Sequence, residues 1–108
     1  DLDNDAIRYG NHRYAHKNVK RTQANALDYN PNELYDVIVS FETVEHITEY
    51  KMYISNLYSW LHQDGKLLIS TPIVNQTSIS VPNPYHVIEW SFFDFHRLFS
   101  DLFIIEDI

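Results

Sequence analysis

Two short aliphatic runs, Val37-Ile38-Val39 and Leu67-Leu68-Ile69, constrain this chain more than any other feature. Neither is broken by a polar residue, the pattern of a strand buried on both faces of a parallel sheet. Between them Ile47, Tyr50, Ile54, Leu57, Tyr58 and Leu61 recur at three- and four-residue steps, which predicts an amphipathic helix. Gln63-Asp64-Gly65 predicts the exit of that helix, with Gly65 free to adopt the left-handed conformation. Strand, helix, strand in this order reads as a right-handed crossover. The expected fold class is therefore α/β, a mostly parallel sheet with flanking helices.

The remaining elements are placed by local chemistry. A helix is expected from about Asn4 to His16 with Asn4 as N-cap, followed by a strand over Val19–Asn25 and a turn at Asn30-Pro31-Asn32. Ser91-Phe92-Phe93-Asp94 reads as a helix start of the capping-box kind, with Phe95, Leu98 and Phe99 continuing it and Phe103-Ile104-Ile105 opening a further strand. In open α/β sheets ligands bind beyond the carboxyl ends of the strands. That rule points to Asp1-Leu2, Ser40-Phe41-Glu42 and Ser70-Thr71-Pro72. The Asp1 carboxylate is of a kind that holds a ribose diol with two hydrogen bonds.

Composition narrows the functional classes. At 108 residues the chain has room for one domain, and its formal charge of −7 opposes a broad phosphate-binding surface. The exception is Arg8, Arg13, Lys17, Lys20 and Arg21, five bases with no acid among them, which read as a solvated helix face and its exit turn. The absence of cysteine excludes disulfides, thiolate catalysis and zinc–thiolate sites, and fits a reducing cytoplasm. No apolar run approaches the ~18 residues of a membrane helix. The chain does not start with methionine and holds only two glycines, as a piece of a larger domain would.

Three segments carry a resemblance. Tyr35-Asp36-Val37-Ile38-Val39-Ser40-Phe41-Glu42-Thr43-Val44-Glu45-His46-Ile47 resembles the fourth strand, and the Glu-His turn after it, of the class I S-adenosylmethionine-dependent methyltransferases. Leu61 to Pro72 looks like that family's fifth-strand segment ending in Thr-Pro, and Asn83-Pro84-Tyr85-His86-Val87-Ile88-Glu89-Trp90-Ser91 resembles a downstream segment of one subgroup. The resemblance implies a Rossmann-like fold running from the end of the second strand to the start of the sixth, a partial methyltransferase domain over residues 1–108. It assigns Asp1 to the ribose hydroxyls, Leu2 to packing on adenine, Asn25 and the Ala26 amide to the adenine edge, and the Ser40-Phe41 main chain to the methionine part. Asn25 stands where the family usually has aspartate, and the family's glycine-rich cofactor loop has no counterpart here.

Glu42, Glu45 and His46 are spaced i, i+3, i+4, which would put them on one face of a helical turn. With His86 as a fourth ligand they form an oxygen-rich set suited to Mg²⁺ or Mn²⁺. The set resembles that of the metal-dependent small-RNA 3′-terminal 2′-O-methyltransferases and, in three positions, the quinone-biosynthesis O-methyltransferases. The competing reading is a solvated acidic face with a helix-capping Glu-His pair. Tyr85 and Trp90 are candidates for an acceptor pocket or for packing. The expected function is methyl transfer from S-adenosylmethionine to an oxygen of a small-molecule acceptor. RNA 3′-terminal ribose methylation and a noncatalytic methyltransferase-like binding module are the alternatives.

Overall fold

The computed structural model describes residues 1–106, which form two compact units, Asp1–Asn30 and Pro31 onward. The first unit contains helix α1, Asn4–Arg13. It starts where composition indicates but is capped by Asp3, not Asn4. The Asp3 carboxylate accepts from the Asp5 N–H at 2.7 Å, using the first free amide donors of the helix. The helix stops at Arg13 rather than His16, because the Arg21 guanidinium donates to the Tyr14 carbonyl at 2.9 Å and closes the negative end of the dipole there.

Of the basic stretch, Arg21 is thus engaged with the C-terminal end of α1. Arg8 pairs with Asp5, and Arg13 lies over the Tyr14 ring at 5.3 Å. The strand expected over Val19–Asn25 does not form. Ala24 N–H donates to the Asp1 carbonyl at 3.0 Å and the Gln23 side-chain amide to the Leu2 carbonyl at 2.9 Å. A side-chain bond has replaced the second rung of a ladder, and residues 23–24 lie beside residues 1–2 without strand geometry.

The second unit holds the predicted strand–helix–strand core. Strand β1, Tyr35–Phe41, pairs in parallel with β2, Leu61–Ser70, and helix α2, Tyr50–Ser59, connects them. Tyr53, Ile54 and Leu57 of α2 are buried, and the Tyr53 hydroxyl meets the Ser40 hydroxyl of β1 at 2.9 Å. Burying Ile54 and Leu57, each 2% exposed, contributes on the order of 2–3 kcal/mol apiece. The expectation of two covered sheet faces fails. Val37, Val39 and Phe41 alternate onto an open face and are more than half exposed, whereas Ser40 on the other face is buried.

Gly65 is also corrected. It lies inside β2 with ordinary backbone angles, and α2 ends at Ser59, six residues earlier. The register explains the glycine: Tyr35 pairs with Leu61 but Val37 with Lys66, so β2 accommodates extra residues opposite two of β1. At that irregularity a Cβ on residue 65 would approach the carbonyls of His62 and Tyr35 to 3.0 Å.

Downstream, the short strands β3, Ile73–Val74, and β4, Trp90–Ser91, form a second parallel pair, and Ser78 bridges Glu89 in antiparallel fashion. Helix α3, Phe92–Ser100, is capped by Ser91, whose hydroxyl accepts from the Asp94 N–H as the sequence predicts. Phe103–Ile105 forms no strand. The Phe103 ring instead packs on Tyr58 and Phe99. This completes an aromatic succession from Tyr50 through Trp90, Phe95, Phe99 and Phe103 to Tyr58, with centroid separations of 5.0–5.9 Å and both ends on α2. Trp90, 3% exposed, is therefore a core residue, and the Tyr85 ring is exposed.

Candidate metal centre

The chain leaves β1 through Glu42, which adopts φ +47°, in the left-handed region that non-glycine residues rarely occupy. Its N–H still extends the ladder to the Ser70 carbonyl at 3.1 Å, and its carboxylate accepts from the Ser70 hydroxyl at 2.7 Å. Only Val44–His46 then form a single 3₁₀ turn. Glu42, Glu45 and His46 consequently do not share a helical face as their spacing suggests. The left-handed residue rotates Glu42 away from the pair that follows it.

Glu45 is completely buried. Its main-chain carbonyl accepts from Val87 N–H at 2.8 Å, and Oε2 accepts from the Thr71 hydroxyl at 3.1 Å. Oε1 has no hydrogen-bond partner. A fully buried carboxylate oxygen without a donor carries a desolvation cost that a bound cation would remove.

Two imidazoles stand beside it. Glu45, His46 and His86 each offer a ligand atom, and the three atoms lie within 4.8 Å of one another. The His46 and His86 rings meet edge to face at 4.8 Å, and His46 Nε2 is 3.8 Å from Glu45 Oε1. His46 Nδ1 donates to the Tyr85 carbonyl at 2.8 Å, since a carbonyl only accepts. Its Nε2 therefore carries the lone pair. His86 is held at both nitrogens, by the Asn83 amide at 2.9 Å on Nε2 and by Glu89 at 2.7 Å on Nδ1.

The trio brings together residues about 40 apart in sequence, from the β1 exit and from the loop before β4. Glu42, predicted as a ligand beside Glu45, His46 and His86, is not among the clustered groups. Asn83 and Glu89 were not singled out by spacing, whereas Thr71 lies in the Ser70-Thr71-Pro72 strand end to which the fold rule points. The signals were the Asn-Pro turn and the i, i+3 relation of His86 to Glu89 in Asn83-Pro84-Tyr85-His86-Val87-Ile88-Glu89. An open groove along β2, lined by Phe92, Phe95 and Phe103 among others, shares only Thr71 with the cluster and its partners.

The nearby Tyr53 phenol stays neutral. Burial pushes the Tyr53 phenol above its ordinary value, reinforced by the Glu45 charge and opposed by the Ser40 hydrogen bond. Ser40 turns its hydroxyl toward Tyr53, and Phe41 is exposed.

The other predicted ligand residues belong to the first unit. Asp1 and Leu2 are exposed, and Asp1 Oδ1 accepts from the Asp3 N–H at 2.9 Å. Asn25 Oδ1 accepts from the Leu27 N–H at 3.0 Å, in a turn where the Asn25 carbonyl takes the Asp28 and Tyr29 amides; Ala26 lies within that turn. The Ala24–Asp1 bond thus places Asp1 and Asn25 in one neighbourhood, and the Asn25 amide oxygen retains a second lone pair. A carboxylate and an amide oxygen are acceptors, the partners that the donor hydroxyls of a ribose diol and an adenine amino group would take.

Residues 2–103 match the model of a family described as a methyltransferase domain, nearly the whole length of the chain. No curated protein matches it. Among the described residues no helix is long and apolar enough to cross a membrane.

Proposed function

Since the chain belongs to the methyltransferase-domain family, with the class I S-adenosylmethionine-dependent α/β fold, we propose that it serves methyl transfer to an oxygen of a small-molecule acceptor, aided by a divalent cation. The observation that carries this reading is the unpartnered, buried Glu45 Oε1 beside two imidazoles. Both imidazoles point to an Nε2 lone pair, His46 through its bond to Tyr85 and His86 through the Asn83 amide. One carboxylate oxygen with two imidazole nitrogens suits a divalent transition ion, Mn²⁺ among them, and nothing in the set is a thiolate.

S-adenosylmethionine, when bound, supplies an electrophilic methyl group on sulfur. Asp1, Leu2, Asn25 and Ala26 are assigned to its adenosine part and the main chain of Ser40 and Phe41 to its methionine part. A cation at Glu45, His46 and His86 would hold the acceptor hydroxyl and lower its pKa. The chain's own contribution is position. Thr71 fixes the Glu45 carboxylate and Tyr85 fixes the His46 ring, so the ligand atoms do not have to be ordered on binding. The same trio would serve a ribose 2′-hydroxyl at an RNA end, but the charge of −7 and the self-contained pairing of Arg8, Arg13 and Arg21 favour a small acceptor.

Methyl transfer from radiolabelled S-adenosylmethionine to hydroxylated acceptors tests the reading. Activity should fall at least tenfold on chelation, return with millimolar Mn²⁺, and stay absent in Glu45→Ala and His46→Ala with or without the metal. Activity that ignores the chelator would remove the cation from the mechanism.

A further inference from the structure

We propose that Glu89 is the positioning residue of the metal centre: it holds His86 in the tautomer that presents Nε2 as the ligand atom. The inference rests on the cation reading above and adds the residue on which His86 depends.

The chain of hydrogen bonds settles the tautomer. Asn83 Oδ1 accepts from the Tyr85 N–H at 3.0 Å, which orients the side-chain amide and turns Nδ2 toward His86. Nδ2 is a donor only, so His86 Nε2, 2.9 Å away, is the acceptor and carries no proton. The proton of the neutral ring then sits on Nδ1 and is donated to Glu89 Oε1 at 2.7 Å. The opposite tautomer would set Nε2–H against the Asn83 amide and leave Nδ1 facing a carboxylate with no hydrogen between them.

Glu89 is built for this task. Its side chain and that of His86 are both about nine-tenths buried. Its backbone exchanges two hydrogen bonds with Ser78, at 2.9 and 3.0 Å, and its neighbours Ile88 and Trp90 are buried. The carboxylate is consequently fixed from both sides of the chain. A buried carboxylate on the distal nitrogen of a ligating imidazole fixes the ring and raises its basicity, and losing such a partner typically costs 10–100-fold in metal affinity. The Asn83 amide occupies the same Nε2 lone pair and would be displaced when a cation takes it.

The test uses two readouts on the protein with ¹⁵N-labelled histidine, His86 being assigned from the missing signal in His86→Gln. Long-range ¹H–¹⁵N correlation of the metal-free protein should show His86 protonated at Nδ1. In Glu89→Leu the Nδ1–H form should no longer be held alone, part of the population shifting to Nε2–H as the Asn83 amide turns away, and Mn²⁺ affinity by titration should fall 10–100-fold, with Glu89→Asp recovering part of both. Glu89→Gln preserves size if the leucine variant does not fold, and should lower Mn²⁺ affinity in the same direction. A wild-type His86 protonated at Nε2, or a tautomer and affinity unmoved in Glu89→Gln and Glu89→Leu, would overturn the proposal. If the wild type takes up no Mn²⁺ the cation reading fails by itself, and the tautomer measurement still decides what Glu89 does.

Discussion

Asp94 shows how much one side chain can organise. Its carboxylate accepts the hydroxyl protons of Thr77 and Ser91 while Ser91 Oγ caps its amide. The Thr77 hydrogen bond, then that of Ser91, holds this carboxyl below its ordinary value of 3.8. A carboxyl depressed in the folded state stabilises the fold fully above its unfolded pKa, and that stability is lost as pH falls through the lower folded value. The window therefore opens below about pH 4. Between pH 7 and pH 3 the urea midpoint of the wild type should fall further than that of Asp94→Asn, which starts lower and changes less. Equal falls would show that the bonds do not survive in solution. This cap was legible from Ser91 and Asp94 alone, because their spacing is the whole mechanism. Thr77, which comes from a distant loop, left no local trace. The helical face expected of Glu42, Glu45 and His46 failed for a related reason: the i, i+3, i+4 rule presumes a helix, and one left-handed residue removes it.

Among elements, β1, β2 and α2 were readable since aliphatic runs mark strands and a 3.6-residue stripe marks a packed helix face, though the β1 run is covered on one face only. Gly65 shows where that reading stops. A glycine after a helical stripe resembles a C-terminal cap, whereas here it relieves a register irregularity that depends on the partner strand. The difference is measurable against Gly10. Gly65→Ala drives a Cβ into two backbone carbonyls and should destabilise by about 1–3 kcal/mol. Gly10→Ala meets only the Arg21 side chain, and the helical gain of up to ~1 kcal/mol should offset the displaced contact to leave a change within about 0.5 kcal/mol. Urea denaturation of the two variants checks the contrast, and similar losses would refute the register explanation. The strand expected at Phe103–Ile105 was misjudged because apolar character alone does not separate a ladder partner from a ring that packs on Tyr58 and Phe99.

At the scale of the whole molecule the apolar interior is unevenly distributed. Every buried hydrophobic residue among those described, from Val44 to Phe99, belongs to the second unit, and α1 buries none. Amide exchange should follow that division. The α2 and β1–β2 amides should be the most protected and the α1 amides should exchange at least tenfold faster, since local opening there exposes no core. Uniform protection along the chain would contradict it.

The Glu45–His46–His86 cluster has a temporal meaning as well as a spatial one. His46 waits on the carbonyl of Tyr85, 39 positions later, and Glu45 on the amide of Val87. As the ribosome emits the chain, the Glu-His pair emerges long before the loop that completes it. A nascent or prematurely terminated product carries half a binding set and no means of closing it. If the trio takes a cation, its capture would wait until translation has passed Glu89.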